Sequence, residues 1–520
     1  MKKHILAGIF ACALWLIFGV CAAHAAGAPV CYSDFGAKGD GVTDDFDAII
    51  AAHAYANAEG LPVQATPGAV YYIGDSDKTA IIQTDTDWGG ARFILDDSAV
   101  ANNSLGHVFA VASALNPVPV TNISTLKKNQ AKLDWPIGMD AYVKAIDNTT
   151  TRYIRYVPDR QDSYKGEAQA DAFLVDKDGN VDPSTPIIWD FDNITSLVAY
   201  PVDPVTLTIR GGRFTTVVNQ GGMPYSTRNI LVERSNVIMD GVTHDLEREA
   251  TSTAVYFNGF IEIENCANVT AQNVTVCGHK PIDGYDGYEF MIQHSLNVTV
   301  KNCVQSNDIN DGTLRGITGT NQCKNLVFDG VELNRVDAHK FVTGLTVKDS
   351  KIGWLGIVVT GQGTLLVENT RVCSDYKMIT LRDDYGATWD GEIVIRNCEF
   401  VPGGGAKSDA VIFHGIPSRG HDYGYPIGLP ARITIDGLVI DDSNHPFFYL
   451  GPQIFGPFVP LYLDKYVLAD FFTCPKRPYA VTDEIAIRNL TVKSGRPLLL
   501  SFNRFMFRRY LFPTVKITKF

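Results

Sequence analysis

Three hexads, NVTVKN (297–302), NLVFDG (325–330) and GLTVKD (344–349), share apolar residues at their second and fourth positions and a closing Asn, Gly or Asp. Apolar residues two positions apart lie on one face of a β-strand, and Asn, Asp and Gly tolerate the positive φ of a sharp corner. The pattern therefore predicts short strands that each end at a corner. Seven further copies occur: TLTIRG (206–211), NVIMDG (236–241), NVTAQN (268–273), TLLVEN (364–369), EIVIRN (392–397), RITIDG (432–437) and EIAIRN (484–489).

The spacing of the ten hexads indicates how the strands are arranged. Successive closing residues lie 19 to 52 positions apart, so the shortest step suits one solenoid coil and the longer steps suit a coil plus a loop. Parallel stacking of such strands buries one apolar face and satisfies the backbone hydrogen bonds between coils. The sequence predicts an all-β chain folded as a right-handed parallel β-helix. Cys303 and Cys398 both follow a corner directly, and we expect small buried side chains there rather than disulfides.

Composition supports this class. The chain has 520 residues, 45% hydrophobic and 20% charged, with 46 Gly, 25 Pro and 11% aromatic residues. These values are typical of a large, turn-rich globular chain and exclude a coiled coil or a disordered protein. The net charge is −12 without a basic run, which makes nucleic acid an unsuitable partner.

A segment ahead of the hexads predicts a helix that caps the solenoid. FDAIIAAHAYANAEG (46–60) follows Thr43, a suitable N-cap, and ends at Gly60. The expected apolar stripe of this helix is Phe46, Ile49, Ile50, His53 and Ala54.

The preceding residues, FGAKGDGVTDD (35–45), resemble the GAxGDGxTDD segment with which members of the pectin-lyase-like superfamily often begin. This resemblance implies a parallel β-helix with a capping helix and an activity on polysaccharides, as glycoside hydrolase or polysaccharide lyase. It leaves the subfamily open. The Gly-His-Gly and Arg-Ile-Lys elements of polygalacturonases are absent from the sequence, so no catalytic residue is carried over from that family.

The domain organisation follows from where the repeat is present. Residues 1–25 have the form of a signal peptide cleaved after Ala25, which predicts a secreted, periplasmic or cell-surface protein with no membrane span after cleavage. The remaining segments are 26–117 (N-terminal cap and first coils), 118–200 (an inserted small β subdomain), 201–445 (the β-helix core), 446–482 (an aromatic and Pro-rich loop) and 483–520 (last coil and C-terminal tail).

Candidate site residues come from equal offsets past successive corners, because such positions lie above one another in a solenoid. Paired carboxyl groups on neighbouring coils suit acid and base catalysis of glycoside hydrolysis. We expect Asp308 or Asp311 to pair with Asp337. The predicted catalytic residues are Asp308, Asp311, Asp337, His339 and Asp383. The predicted substrate-binding residues are His279, Glu289, Arg315, Arg335, Trp354, Arg382, Asp384, Tyr385 and Trp389, with the tryptophans as stacking platforms for sugar rings.

Simpler roles exist for each of these residues: Asp at a corner often only forms a turn, and the tryptophans can be interior. Three functions remain open on the sequence. The first is an exported glycoside hydrolase that cleaves a polysaccharide or oligosaccharide with no required cofactor. The second is a lyase with an Arg or Lys base, in which Ca²⁺ is a possible cofactor. The third is a non-catalytic glycan-binding surface protein. No metal site is predicted, since no zinc-type Cys/His spacing occurs, and the oligomeric state is left open.

Overall fold

The fold is described from a computed structural model of the chain. The described residues are 27–100, 106–156, 165–218, 228–247, 258–280, 287–403, 409–415, 421–456, 479–480, 482–501 and 516–519. The predicted signal peptide, most of the aromatic loop and most of the C-terminal tail lie outside these ranges.

The ten hexads stack in register along one face of a parallel β-helix. The second residue of each hexad pairs with the second residue of the next, from Leu207 to Ile485. The pairing continues from Ile485 to Ile517, which lies on a strand of the C-terminal tail that the hexad pattern did not predict. The strands of this face are Thr86–Asp96, Leu207–Val217, Val237–Asp240, Ala267–Gln272, Leu296–Lys301, Lys324–Asp329, Glu332–Lys348, Lys351–Glu368, Trp389–Phe400, Arg432–Ile440, Glu484–Arg488 and Lys516–Lys519.

The corners that close the hexads have the predicted conformation. All ten closing residues have positive φ, between 48° at Asn369 and 79° at Gly437. Stacked asparagines at the opening corner also bond to one another: the Nδ2 of Asn297 donates to Oδ1 of Asn268 at 3.0 Å, and that of Asn325 to Oδ1 of Asn297 at 2.9 Å. The prediction of strand and corner is therefore confirmed.

Two further parallel stacks complete each coil. One follows the hexad corner and pairs Thr275 with Val304, and Lys351 with Arg371. Its short strands are Val70–Ile73, Thr243–Glu247, Thr275–Val276, Val304–Gln305, Arg371–Val372 and Thr491–Val492, joined by the later parts of longer hexad-face strands. The other stack consists of Ala80–Ile82, Phe109–Val111, Ile230–Val232, Asn258–Glu264, Tyr288–Gln293, Ile317–Asn321, the middle of the two longest strands, Lys377–Leu381, Val411–His414 and Gln453–Phe455. We call it the third face. Outside the inserted segment, the remaining strands are Val30–Cys31, Asp40–Asp44, Val63–Gln64, Ile427–Gly428 and Tyr479–Ala480.

The inward side chains form one continuous core along the solenoid. Leu326, Leu345 and Leu365, each 0–1% exposed, follow one another in it. Full burial of one such side chain contributes about 1.5–3 kcal/mol, so a stack of this length holds the coils together without disulfides. Cys303 and Cys398 are buried in this core as expected, and each Sγ lies within hydrogen-bonding distance of backbone carbonyl oxygens.

The capping helix spans Phe46–Glu59 and ends at Gly60 in the left-handed region, as predicted. Its N-cap, however, is Asp45 and not Thr43, because Asp40 binds the Thr43 backbone and hydroxyl in the preceding turn. The buried stripe also differs: it is Phe46, Ile49, Ala52, His53 and Ala56, whereas Ala54 is exposed. The Tyr32 hydroxyl lies 2.8 Å from Nε2 of His53 and anchors this face to the first coil.

Within the segment predicted as an inserted β subdomain, four strands form an antiparallel sheet: Val118–Pro119, Ala141–Arg152, Glu167–Val175 and Ser196–Pro201. Thr151 and Arg152 finish the strand Ala141–Arg152, and residues 153–156 after them form no strand. One part of the sheet packs Tyr142 and Ala172 against Ala267 and Leu296 at the solenoid corners. No helix within the described residues is long and apolar enough to cross a membrane.

Candidate functional site

Three predicted site residues meet outside the solenoid core, on the strand Glu332–Lys348 and just after Lys377–Leu381. Val336 and Ala338 point into the core, so Asp337 between them points outward. Asp337 is nevertheless fully buried, because the guanidinium groups of Arg335 and Arg382 close over it. Nη1 of Arg382 lies 3.4 Å from both of its carboxylate oxygens. Such a carboxylate is neutralised within the protein and has no exposed oxygen for a substrate.

The same cluster continues to Asp384, Arg155 and His339. Asp384 binds Nη2 of Arg382 at 2.9 Å and Nε of Arg155 from the inserted segment at 2.8 Å. Burial raises the pKa of Asp384, but these two guanidinium groups outweigh it and leave the pKa below its usual value. Burial and then the charges of Arg382 and Arg335 hold the pKa of His339 well below its usual range. The ring of His339 meets buried Tyr385 edge-on at 5.8 Å. The cluster therefore joins the inserted segment to the solenoid through paired charges.

Asp308 and Asp311, the expected partners of Asp337, lie in the loop between Val304–Gln305 and Ile317–Asn321. Oδ1 of Asp308 accepts from the backbone N–H of Asn310 at 2.9 Å, and Oδ1 of Asp311 accepts from Thr313 at 2.8 Å. The backbone N–H of Thr313 lowers the pKa of Asp311. Both carboxylates accept from backbone groups of their own loop, whereas the Asp337 carboxylate is bound by Arg335 and Arg382, so the pairing of Asp308 or Asp311 with Asp337 stays a prediction.

Asp383 keeps an exposed side chain. Desolvation by its surroundings and the neighbouring charge of Asp384 raise the pKa of Asp383. Trp354 is half-buried beside Gly312 of the same loop that holds Asp308, and its backbone N–H donates to the Ile309 carbonyl at 2.9 Å. Arg315 is half-buried, and its backbone N–H donates to the carbonyl of His279 at 2.7 Å.

Four predicted substrate-binding residues are interior, which corrects the expectation that they face solvent: Trp389, His279, Glu289 and Tyr385, the last of which is 2% exposed. Trp389 is 0% exposed within the core, and its Nε1–H donates to the Gly363 carbonyl at 3.0 Å. His279 and Glu289 are 1% and 0% exposed and bind each other at 2.7 Å. Glu289 was expected at the surface, but the register of strand pairing shifts between Tyr288 and Phe290, and Glu289 lies at this irregularity.

A carboxylate site that the sequence analysis missed lies on the third face. Ile261 and Ile263 point into the core, so Glu262 points outward, yet it is only 3% exposed. Three amide groups surround its carboxylate: Asn258 at 2.9 Å, Asn229 at 3.0 Å and Gln293 at 3.1 Å. Burial raises the pKa of Glu262 above its usual value. A carboxyl group in this environment suits a proton donor.

Two more glutamates lie next to Glu262. Glu264 is two residues further along the same strand, and Glu233 directly follows the pair Val232 and Ile263 on neighbouring coils. Partial burial and then the charge of Glu264 raise the pKa of Glu233. A separation of two residues in a strand is about 6.6 Å, and neighbouring strands lie about 4.8 Å apart. These backbone spacings place the three glutamates on neighbouring positions of the third face.

The inserted sheet forms one side of this glutamate cluster, Glu233, Glu262 and Glu264. Nζ of Lys144, on the strand Ala141–Arg152, donates to Oδ1 of Asn265 at 2.7 Å. Burial lowers the pKa of Lys144, although the charge of Glu264 partly opposes this shift. Tyr200 lies on the same inserted sheet as Lys144. Burial raises its pKa, and the negative charges of Glu233 and Glu264 raise it further.

Polar residues continue along the third face beyond the glutamates. Gln293 pairs with Glu264 on one side and with Asn321 on the other, and Asn321 pairs with Lys340. Nδ2 of Asn321 donates to Oε1 of Gln293 at 3.2 Å. Amides, carboxylates and a lysine in a row offer the donors and acceptors that sugar hydroxyls require.

A signal for the glutamate cluster is present in the sequence. The stretch FIEIEN (260–265) alternates apolar residues with two glutamates immediately before a hexad, and this alternation places both glutamates on the outer face.

Comparisons with known proteins agree with the fold. No known protein family profile matches the chain. Tailspike gp61 of Pseudomonas phage phi297 aligns with a TM-score of 0.55 and 12% identity over 91% of this chain and 84% of that chain. Tailspike gp49 of Pseudomonas phage LKA1 aligns with a TM-score of 0.50 and 14% identity over 91% and 82%. The Gp54 tailspike of Acinetobacter baumannii bacteriophage AP22, solved in complex with a capsular saccharide, aligns with a TM-score of 0.51 and 10% identity over 89% and 72%.

One curated relative matches by sequence. It is a capsule KL64-specific depolymerase of Klebsiella phage P510, 27% identical over 143 residues. The match spans 24% of this chain and 14% of that protein. The chain thus shares the parallel β-helix of phage tailspikes, with a local sequence similarity to a capsule depolymerase.

Proposed function

We propose that this protein acts outside the cytoplasm and binds and degrades a polysaccharide, most simply as a glycoside hydrolase. Its fold is that of tailspikes, one of which was solved with a capsular saccharide, and a segment resembles a capsule depolymerase. The proposed substrate class is therefore a bacterial surface polysaccharide. The observation that carries the proposal is Glu262, a buried outward carboxyl with a raised pKa beside two further glutamates.

In this proposal Glu262 donates a proton to the glycosidic oxygen as the leaving group departs. Its raised pKa keeps a larger fraction protonated than an exposed glutamate has. Glu264 accepts a proton from the attacking water, since it lies two residues further along the same outer face. Gln293 and Asn321 hold sugar hydroxyls on the following coils.

The cluster of Arg335, Asp337 and Arg382 has a positioning role in this proposal. Its ion pairs link the inserted segment to the third-face strand and thereby fix the sheet that contributes Lys144. Asp383, with its exposed carboxyl and raised pKa, is the sequence-predicted catalytic residue that remains a competing proton donor.

A second candidate function is elimination by a lyase, and Lys144 is the observation that favours it. Burial lowers the pKa of Lys144, which increases the neutral fraction able to abstract a proton next to a uronate carboxylate. The neighbouring Glu264 weighs against an acidic substrate at this position, because it repels a uronate.

The experiment that tests these assignments is a panel of capsular and other surface polysaccharides incubated with the full chain. Hydrolysis releases reducing ends, whereas elimination also gives an unsaturated product that absorbs in the ultraviolet. We expect reducing ends without that absorbance, and a loss of about 10²- to 10⁴-fold in kcat for Glu262→Gln. Glu392→Gln is the matched control, since Glu392 is a glutamate of the hexad face whose partner is Arg432 at 3.4 Å.

Each other result assigns the activity differently. Full activity in Glu262→Gln with loss in Asp383→Asn moves the proton donor to Asp383. Ultraviolet absorbance that disappears in Lys144→Met establishes the lyase. Binding without any product in the whole panel overturns the enzymatic proposal in favour of a glycan-binding protein.

A further inference from the structure

A buried cluster of His244, Cys277 and Glu289 lies within the solenoid, apart from the glutamates of the third face. His244 stacks on core residue Phe260 with parallel rings 3.6 Å apart. One ligand atom from each of the three residues lies within 4.8 Å of the other two, and all three residues are buried. The residues come from three different parts of the coils, the strands Thr243–Glu247 and Tyr288–Gln293 and the residue that follows Thr275–Val276.

The distances within the cluster are close to those around one metal ion. Nδ1 of His244 lies 2.8 Å from Oε2 of Glu289, and Sγ of Cys277 lies 3.7 Å from Oε1 of Glu289. Ligand atoms around a tetrahedral Zn²⁺ lie about 3.3–3.5 Å apart, given bond lengths of about 2.0 Å to N and O and about 2.3 Å to S. The two separations to Glu289 therefore differ from these values by only about half an ångström.

A second imidazole and an outer hydrogen bond border these three ligands. Nε2 of His279 lies 2.7 Å from Oε1 of Glu289, so this imidazole reaches the same carboxylate from another direction. The other ring nitrogen of His244, Nε2, lies 3.1 Å from the buried hydroxyl of Thr216. Metal-binding histidines characteristically place their second ring nitrogen against an oxygen in this way.

A divalent ion would compensate the negative charges of the buried Glu289 carboxylate and Cys277 thiolate. A buried carboxylate is costly unless its charge is compensated. Zn²⁺ balances one carboxylate and one thiolate, and the neutral imidazole of His244 adds the nitrogen to a set of N, O and S ligands. The ligands are buried, so the ion has no open position for a substrate and its role is to stabilise the coils.

We propose that His244, Cys277 and Glu289 bind zinc in a structural site that ties three successive parts of the β-helix together, with His279 hydrogen-bonded to the Glu289 carboxylate. The spacing of 33 residues from His244 to Cys277 and 12 from Cys277 to Glu289 matches no short zinc motif, which is why the sequence predicted no metal. The site is independent of the catalytic proposal, because none of its residues takes part in that mechanism.

The test is the zinc content of the full chain, expressed without a histidine tag, loaded with ZnCl₂ and dialysed against metal-free buffer. We expect one zinc per chain in the wild type and none in Cys277→Ser or Glu289→Gln. Cys303→Ser is the matched control, because Cys303 is equally buried but bonds only to backbone carbonyls among the described contacts. Thr216→Val should weaken zinc binding by about 10- to 100-fold while leaving the three ligands intact.

A second measurement keeps the proposal testable if the variants do not fold. Wild-type chain loaded with Co²⁺ in place of zinc should show a thiolate-to-cobalt charge-transfer band and the intense visible bands of tetrahedral cobalt. Wild-type protein that takes up neither ion, or zinc that stays bound in Cys277→Ser, overturns the proposal. The first outcome leaves a hydrogen-bonded core cluster, and the second places the metal elsewhere.

Discussion

The buried ion pair between Lys324 and Asp171 should determine whether the inserted sheet stays docked on the solenoid. Nζ of Lys324, at a hexad corner, lies 2.7 Å from Oδ1 of Asp171 on the inserted strand Glu167–Val175. The two side chains are 2% and 1% exposed. Asp171 also accepts backbone N–H bonds from Ile188 at 2.7 Å and from Ala172 at 2.8 Å. Burial raises the pKa of Asp171 and lowers that of Lys324, which shows how much each charge depends on the other.

Lys324→Met leaves the Asp171 carboxylate buried without its cation. Breaking a buried pair in this way costs about 3–5 kcal/mol, whereas an exposed pair contributes about 0–1 kcal/mol. The matched control is Lys351→Met, since Lys351 and Glu332 form an exposed pair at 2.6 Å with side chains 44% and 45% exposed. Urea unfolding of the full chain, followed by circular dichroism and by tryptophan fluorescence, compares the two variants.

The double variant Lys324→Met with Asp171→Asn separates charge from packing. Asparagine keeps an acceptor for one of the two backbone N–H groups and carries no charge, so we expect it to recover part of the lost stability. The reasoning is refuted if Lys324→Met costs no more than Lys351→Met, or if the double variant is less stable than the sum of both single changes.

Three further predictions concern the third face and the coil spacing. Glu264→Gln removes a negative charge that raises the pKa of Glu233, so the Glu233 carboxyl should titrate at lower pH in ¹³C-edited NMR spectra. An unchanged titration midpoint would mean that burial alone raises the pKa of Glu233. If Glu262 is the proton donor, kcat should fall as pH rises through its raised pKa, and a profile without this limb assigns the donor elsewhere. Gly361→Ala should lower the melting temperature strongly, because the new Cβ would lie 1.9 Å from a backbone oxygen of the neighbouring coil. The control Gly68→Ala should cost only about 1–2 kcal/mol, since Gly68 has a φ of 76° and nothing lies within 4 Å of the added Cβ. Equal losses in the two variants would contradict a steric cause.

The solenoid could be predicted because its signals are local. The hexad NVTVKN specifies by itself which side chains point inward, and its closing Asn302 specifies the corner, with φ of 51° in the structure. The capping helix was found for the same reason, although its N-cap is Asp45 because a turn formed by Asp40 already uses Thr43.

The outward residues could not be assigned in this way, because alternation says which face a side chain is on but not what packs over that face. Asp337 and Glu262 both point outward, yet both are buried. Asp337 is covered by Arg335 and Arg382, and Glu262 is surrounded by amides from neighbouring strands. Burial by groups distant in sequence is what raises the pKa of Glu262.

The sequence by itself determined the parallel β-helix and its helical cap, since period-two alternation and corner residues act within a few positions of the chain. The tertiary structure decided which polar residues share an environment. A one-residue shift at Glu289 turned a predicted surface residue into an interior partner of His244, and docking of the inserted sheet brought Lys144 beside Glu264. Both depend on contacts between coils and an insertion far apart in sequence, whose energies no local pattern contains.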